Sequence, residues 1–275
     1  YIMPGSAKTI RQQDFIHDLV GHVVSTPAEA LPASALRAAK TFILDTFGVA
    51  IVGTLAPGVS ETERILKDWG GKEECSVLVL GGRLPSSSAA MLNSFIMHNQ
   101  EFDCAHDRAV IHPFTTALPV ALAVAEANGG VSGRELLTSV TLGVDVSCSI
   151  GVATQSPMRH FRPGTTGAFG AVAAAGKILG FDEATLGNAM GILYSQICGT
   201  LQPHHEGSMV NSMQTGFNAR AAVTAVSLAA EGVSGPVEVL EGRYGYLRLF
   251  EGEYDADGVL ANLGRTWQVE QVGHK

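Results

Sequence analysis

Apolar residues recur along this chain at spacings of three and four over long stretches, which commits most of it to helices with one or more buried faces. In ALRAAKTFILDTFGVAIVGT, Ile43, Phe47, Ala50 and Ile51 share one helical face, and Gly53 near the end suits a C-terminal stop. VSGRELLTSVTLGVDVSCSIGVA opens with a capping box, Ser132 followed three residues on by Glu135, and continues with Leu137, Val140 and Val144. TTGAFGAVAAAGKILG, DEATLGNAMGILYSQICG and SMVNSMQTGFNARAAVTAVSLAAEG repeat the pattern, separated by short turns rich in glycine, proline and aspartate. Glycine inside a helix costs about 1 kcal/mol relative to alanine, so these glycines are expected to let helix backbones approach closely. Strand character is confined to CSVLVLGG and the terminal TWQVEQVGHK, from β-branched residues and partial alternation. The expected fold class is all-α, with a terminal strand that needs a partner in a further domain or outside the chain.

A chain of 275 residues with 46% hydrophobic content can fill a real core. Its 18 Lys and Arg against 26 Asp and Glu give a formal charge of -8 without any basic run, which argues against a nucleic acid partner. Cys75, Cys104, Cys148 and Cys198 are scattered with no CxxC pair, the usage of reduced thiols in a cytoplasmic protein. The start, YIMPGSAKTIRQQDF, lacks the apolar region of a signal peptide, and windows such as FTTALPVALAVAEA are too short and interrupted to cross a bilayer. Neither secretion nor a membrane span is expected.

Against this bland background, EFDCAHDRAVIHP at 101–113 concentrates ionisable groups between two helical stretches, SSSAAMLNSFIMHNQ and PFTTALPVALAVAEANGG. Pro113 suits the first turn of the second helix, which places His112 at its mouth beside unpaired backbone N–H groups. That is an anion-binding position, and the positive helix end there favours a neutral imidazole able to act as a base. The plainer alternative is a capping histidine in a solvated turn. His106 and His112 do not have the spacing of a zinc pair on one helix, so no metal site is expected. A second helix mouth, MRHFRPGTTGAFGAVAAAGKILG, places Arg162 before Pro163, with Arg159 and His160 upstream. Its Gly164, Gly167 and Gly170 read GxxGxxG, which is not the dinucleotide fingerprint. LQPHHEGSMVNSMQTGFNARAA adds His204, His205 and Glu206 in a loop, with Asn211 and Gln214 at the next helix start.

These three segments, in this order and together with ILDTFGVAIVG, GPVEVLEG and the closing VGHK, resemble the MmgE/PrpD family, which includes 2-methylcitrate dehydratase, cis-aconitate decarboxylase and iminodisuccinate epimerase. The resemblance implies a large all-helical domain over residues 1–264, the first strand of an α+β lid domain at 265–275, and homodimeric assembly. It also implies a small di- or tricarboxylate as substrate, with proton abstraction next to a carboxylate and no metal or organic cofactor. Loss of water, loss of CO₂ or reprotonation would follow. Glu101, Asp103, His106 and His112 match the acids and histidines of the family's first motif and are expected to be catalytic, with His112 as base or acid. Arg162, Lys275, Asn211 and His160 are expected to hold substrate. Ala105 replaces the motif's threonine, Arg162 stands where a histidine before proline is common, and Asn211 and Gln214 take the places of a lysine and a histidine. Asparagine cannot carry that charge, and arginine is a poor proton carrier. The alternative is therefore a catalytically lapsed relative that binds a carboxylate or serves as a dimeric scaffold.

Overall fold

The computed structural model describes residues 13–275. The absence of a signal peptide was read from a stretch that lies mostly outside these residues. Among them the chain forms α1 (Phe15–Ser25), α2 (Ala33–Gly53), α3 (Val59–Trp69), α4 (Ser86–His98), α5 (Phe114–Ala127), α6 (Gly133–Ala153), α7 (Arg162–Ile178), α8 (Glu183–Tyr194), α9 (Gln202–Glu206), α10 (Val210–Ala230) and α11 (Ala256–Leu260). The two strands, β1 (Cys75–Ser76) and β2 (Arg83–Leu84), form a small antiparallel pair. The mostly helical fold agrees with the periodicity, and the CSVLVLGG strand survives only in its first two residues.

The core is built around α5, which is apolar on every side and packs on α4, α6, α7 and α10. The Ser132–Glu135 capping box forms at the start of α6. Alanine and glycine let these helices lie close together: a Cβ on Gly143 of α6 would stand 2.6 Å from the carbonyl oxygen of Gly170 on α7. In α6 the apolar run is long enough to cross a membrane, but nearly all of it is buried in this core.

Two helical details differ from expectation. The buried face of α2 is Phe42, Thr46, Val49, Ala50 and Gly53, so Ile51 points outward at 59% exposure. Gly53 is required because a Cβ there would overlap the carbonyl oxygen of Ile96 on α4, so it serves a close approach and not a left-handed stop.

The terminal strand does not form. Residues Gln268–Gln271 make a 3-10 turn, fixed at its start by the Gln268 N–H donated to Asp145 Oδ1 at 2.8 Å. Trp267, Val269 and Val272 are buried with the helical core, and Trp267 lies against the His22 ring. Burying these three side chains is favourable by an order of 1.5–3 kcal/mol each, which a free extended strand would forgo. Only Gly273 pairs in strand fashion, exchanging two hydrogen bonds of 2.9 and 2.8 Å with Ala105.

Candidate active site

Helix α4 ends on His98, and the connection from 99 to 113 folds back over that end before α5 begins. Asp103, fully buried, lies between two imidazoles. His98 Nδ1 is 3.1 Å from both of its carboxylate oxygens, and His112 Nδ1 is 2.9 Å from Oδ2. The two rings sit 4.8 Å apart. The His98 Nδ1–H donates to the carboxylate, and the His112 Nδ1–H is shared between that carboxylate and the Asp103 backbone carbonyl at 3.1 Å, so in the neutral rings the proton sits on Nδ1 and Nε2 is left as the acceptor. His98 Nε2 is buried without a hydrogen-bond partner and lies 3.9 Å from Glu101 Oε1. Glu101 accepts from Asn211 Nδ2 at 2.6 Å and faces Lys275 Nζ at 3.9 Å.

The connection is held in strained form. Glu101 and Val110 both have φ of 56°, a region that a β-branched residue such as Val110 adopts only under constraint, at about 1–3 kcal/mol. The constraint is a tight turn in which the His106 N–H donates to Ile111 O and the Val110 N–H to His106 O, each at 2.9 Å. His106 itself is engaged at both nitrogens, accepting from the Ala109 N–H and donating to Gln268 Oε1 at 3.1 Å each. It therefore braces the turn against the C-terminal segment, and burial lowers its pKa.

A cleft of about 380 Å³ opens over this centre, lined by His98, Glu101, His106, His112, His204 and Lys275 among others. Lys275 is brought there by its neighbours: Gly273 bridges Ala105, and His274 meets Asp45 at 3.0 Å beside Phe42.

The electrostatics depart from the helix-mouth argument. Burial alone would lower the His112 pKa, but the hydrogen bond and charge of Asp103 outweigh it and the net shift is upward. For Asp103 burial opposes ionisation, yet the two imidazoles hold its carboxyl well below the usual carboxylate range. The carboxylate beside His112 thus raises its pKa, opposite to the downward shift expected of a helix mouth.

Arg162 is placed differently from expectation. Its guanidinium is 2% exposed and turned into the core, where Nε and Nη2 donate to Glu251 at 3.0 and 2.7 Å. Tyr246 donates to the same carboxylate at 2.7 Å. Phe161 and Pro163 line the cleft and Arg162 does not. Its remaining contact, Nη1 to Ala109 O at 3.2 Å, supports the 105–111 turn from behind. His160 is likewise elsewhere, bonded to Phe250 O at 3.2 Å with its ring on Phe250. The structure thus gathers Glu101, Asp103, His112, Lys275 and Asn211, and leaves out Arg162 and His160.

His98 was not singled out in the sequence. A histidine at the end of an apolar helix reads as a satisfied core residue, and its one signal is that Glu101 and Asp103 follow three and five positions later. His98, Asp103 and His112 offer ligand atoms within 4.8 Å of one another, and both Nδ1 atoms already contact the Asp103 carboxylate.

A buried carboxylate gripping two imidazoles at the floor of a cleft, at one end of an all-helical core, is a centre suited to moving protons. The chain belongs to the MmgE/PrpD family: the MmgE/PrpD N-terminal domain matches residues 17–258. It is 31% identical over 254 residues to the cis-aconitate decarboxylase of Aspergillus terreus, an overlap of 87% of this chain and 52% of that protein. It is 28% identical over 272 residues to the cis-aconitate decarboxylase-like protein oryM of Aspergillus oryzae, covering 93% and 56%. To the human cis-aconitate decarboxylase it is 27% identical over 267 residues, covering 93% and 53%. The chain spans a little over half the length of these relatives.

Proposed function

We propose that this chain carries the acid–base centre of a lyase or isomerase that withdraws a proton next to a carboxylate of a small di- or tricarboxylate. The observation that carries the reading is His112, whose Nδ1 is locked on buried Asp103 while its ring lines the cleft. In this reading Nε2 of neutral His112 takes the proton, and Asp103 stabilises the imidazolium that results. Lys275 holds the carboxylate on which negative charge develops. Glu101 and His98 lie beside it, placed to relay a proton to a leaving hydroxyl or, where the bond to CO₂ breaks without a prior proton withdrawal, to the carbon that keeps the electron pair. The names of the relatives support decarboxylation among the three outcomes.

One arrangement favours a second reading, a relative that binds a carboxylate without turning it over: Arg162 is spent on Glu251, and Asn211 is neutral. Assay of the full chain against methylcitrate, cis-aconitate and iminodisuccinate, with calorimetry in parallel, separates the two. Turnover of one acid is expected, falling by about a hundredfold or more in His112→Ala. Equal rates in wild type and variant would remove His112 from the mechanism. Binding without turnover of any acid would favour the second reading.

A further inference from the structure

Asp145 is 1% exposed in the middle of α6, between Val144 and Val146. A carboxylate in such a place destabilises the core unless its oxygens are answered, and an apolar residue of similar size would not. Both oxygens are answered from outside α6. His22 of α1 donates through Nε2 to Oδ2 at 2.8 Å, and the backbone N–H of Gln268 donates to Oδ1 at 2.8 Å. The acid thereby fixes the start of the terminal segment against α1 and α6, with Trp267 lying on the His22 ring.

Gln268 carries the constraint onward, because its side-chain Oε1 accepts from His106 Nε2 at 3.1 Å. The other ring nitrogen, Nδ1, accepts from the Ala109 N–H at 3.1 Å, so in the neutral ring the proton is on Nε2 and meets an oxygen. Burial lowers the His106 pKa and favours that neutral form. The His106 backbone closes the turn from both sides, with its N–H on Ile111 O and its carbonyl accepting from Val110, which stands at φ 56°. His112 follows Ile111 directly. A backbone held at such an angle persists only where its surroundings over-determine it, and the clamped His106 ring supplies that constraint here.

We infer that Asp145 and Gln268 are positioning residues for the reaction at His112: neither lines the cleft, and with His22 they hold the His106 ring that fixes the turn leading into it. This rests on the reading of His112 as the base. Lys275 is held separately, by the bridge of Gly273 to Ala105 and the contact of His274 with Asp45. Loss of the Gln268 side-chain contact therefore disturbs proton transfer more than substrate binding.

Steady-state kinetics of the full chain, with whichever of methylcitrate, cis-aconitate and iminodisuccinate it turns over, tests this. Gln268→Leu, close in size but without the acceptor, is expected to lower kcat about tenfold and to change KM by less than about twofold. Gln268→Ala reads the same loss should leucine not be accommodated. Gln268→Glu keeps an oxygen for His106 Nε2, and Asp145→Asn keeps one for the Gln268 N–H, so each is expected to retain kcat within about threefold of wild type. Full kcat in Gln268→Leu and Gln268→Ala, a loss confined to KM, or an equal fall of kcat in Gln268→Leu and Gln268→Glu would each overturn the positioning role. If His112→Ala is inactive in the same assay, the reading of His112 survives that result. A wild type that turns over none of the three acids would overturn the proposed reaction, and the positioning role with it.

Discussion

A carboxylate shut away from solvent keeps its charge only while something nearby answers it, and at Asp103 two imidazoles do. The same contact raises the His112 pKa above the usual 6.5, so the ring keeps its proton to higher pH than a free histidine. A base must be neutral to act, and kcat/KM is therefore expected to fall as pH drops through that raised value, with the acid limb above the usual imidazole position. Asp103→Asn removes the charge that raises the value and leaves only a neutral amide oxygen and the backbone carbonyl as acceptors. Burial and the Lys275 charge, which both lower it, remain. The acid limb should then move to lower pH as kcat falls, which a pH–rate profile from about pH 5 to 9 would read directly. A limb that stays in place in the variant would belong to another group.

Helix α7 and the π-helical turn Leu247–Glu251 are joined by a closed ion pair, Arg162 to Glu251, with the Tyr246 hydroxyl on the same carboxylate. Removing one member leaves the other charge buried, so Arg162→Met is expected to cost about 3–5 kcal/mol in urea denaturation. The double variant Arg162→Met with Glu251→Leu should recover most of that loss. At this scale the sequence was legible wherever structure is local. Periodicity located the long helices, the Ser132–Glu135 box marked the start of α6, and Pro113 marked the turn into α5. It failed where a partner is distant. Glu251 lies 89 positions from Arg162, and nothing near Arg162 shows that its charge is already answered. TWQVEQVGHK has strand-like residues, but Asp145 and the buried side of α6 decide its shape from 123 positions away. The acids and His112 of the site stood out because they crowd into one connection. His98 did not, because its role depends on where the connection folds back.

Across the whole molecule, α2 leaves an apolar stripe uncovered. Leu44 and, just past the helix end, Leu55 are 74% and 84% exposed, the highest values among the exposed large hydrophobic residues, with Ile51 between them. Gly48 lies in the same stripe with nothing within 4 Å of where its Cβ would be, which gives room for another helix to approach. We propose this face as the contact of the expected homodimer. Sedimentation velocity should show a dimer for the wild type and a monomer for Leu44→Lys combined with Leu55→Lys. A double variant that stays dimeric would move the contact to another face, and a monomeric wild type would remove the homodimer. Near this stripe, the bridge between Ala105 and Gly273 fastens the tail to the turn that precedes His112. Gly273, His274 and Lys275 are all exposed, so clipping them would subtract nothing from the core. It would unlatch that turn and carry away the cleft's lysine, so the proposed turnover is expected to drop while the melting temperature moves little.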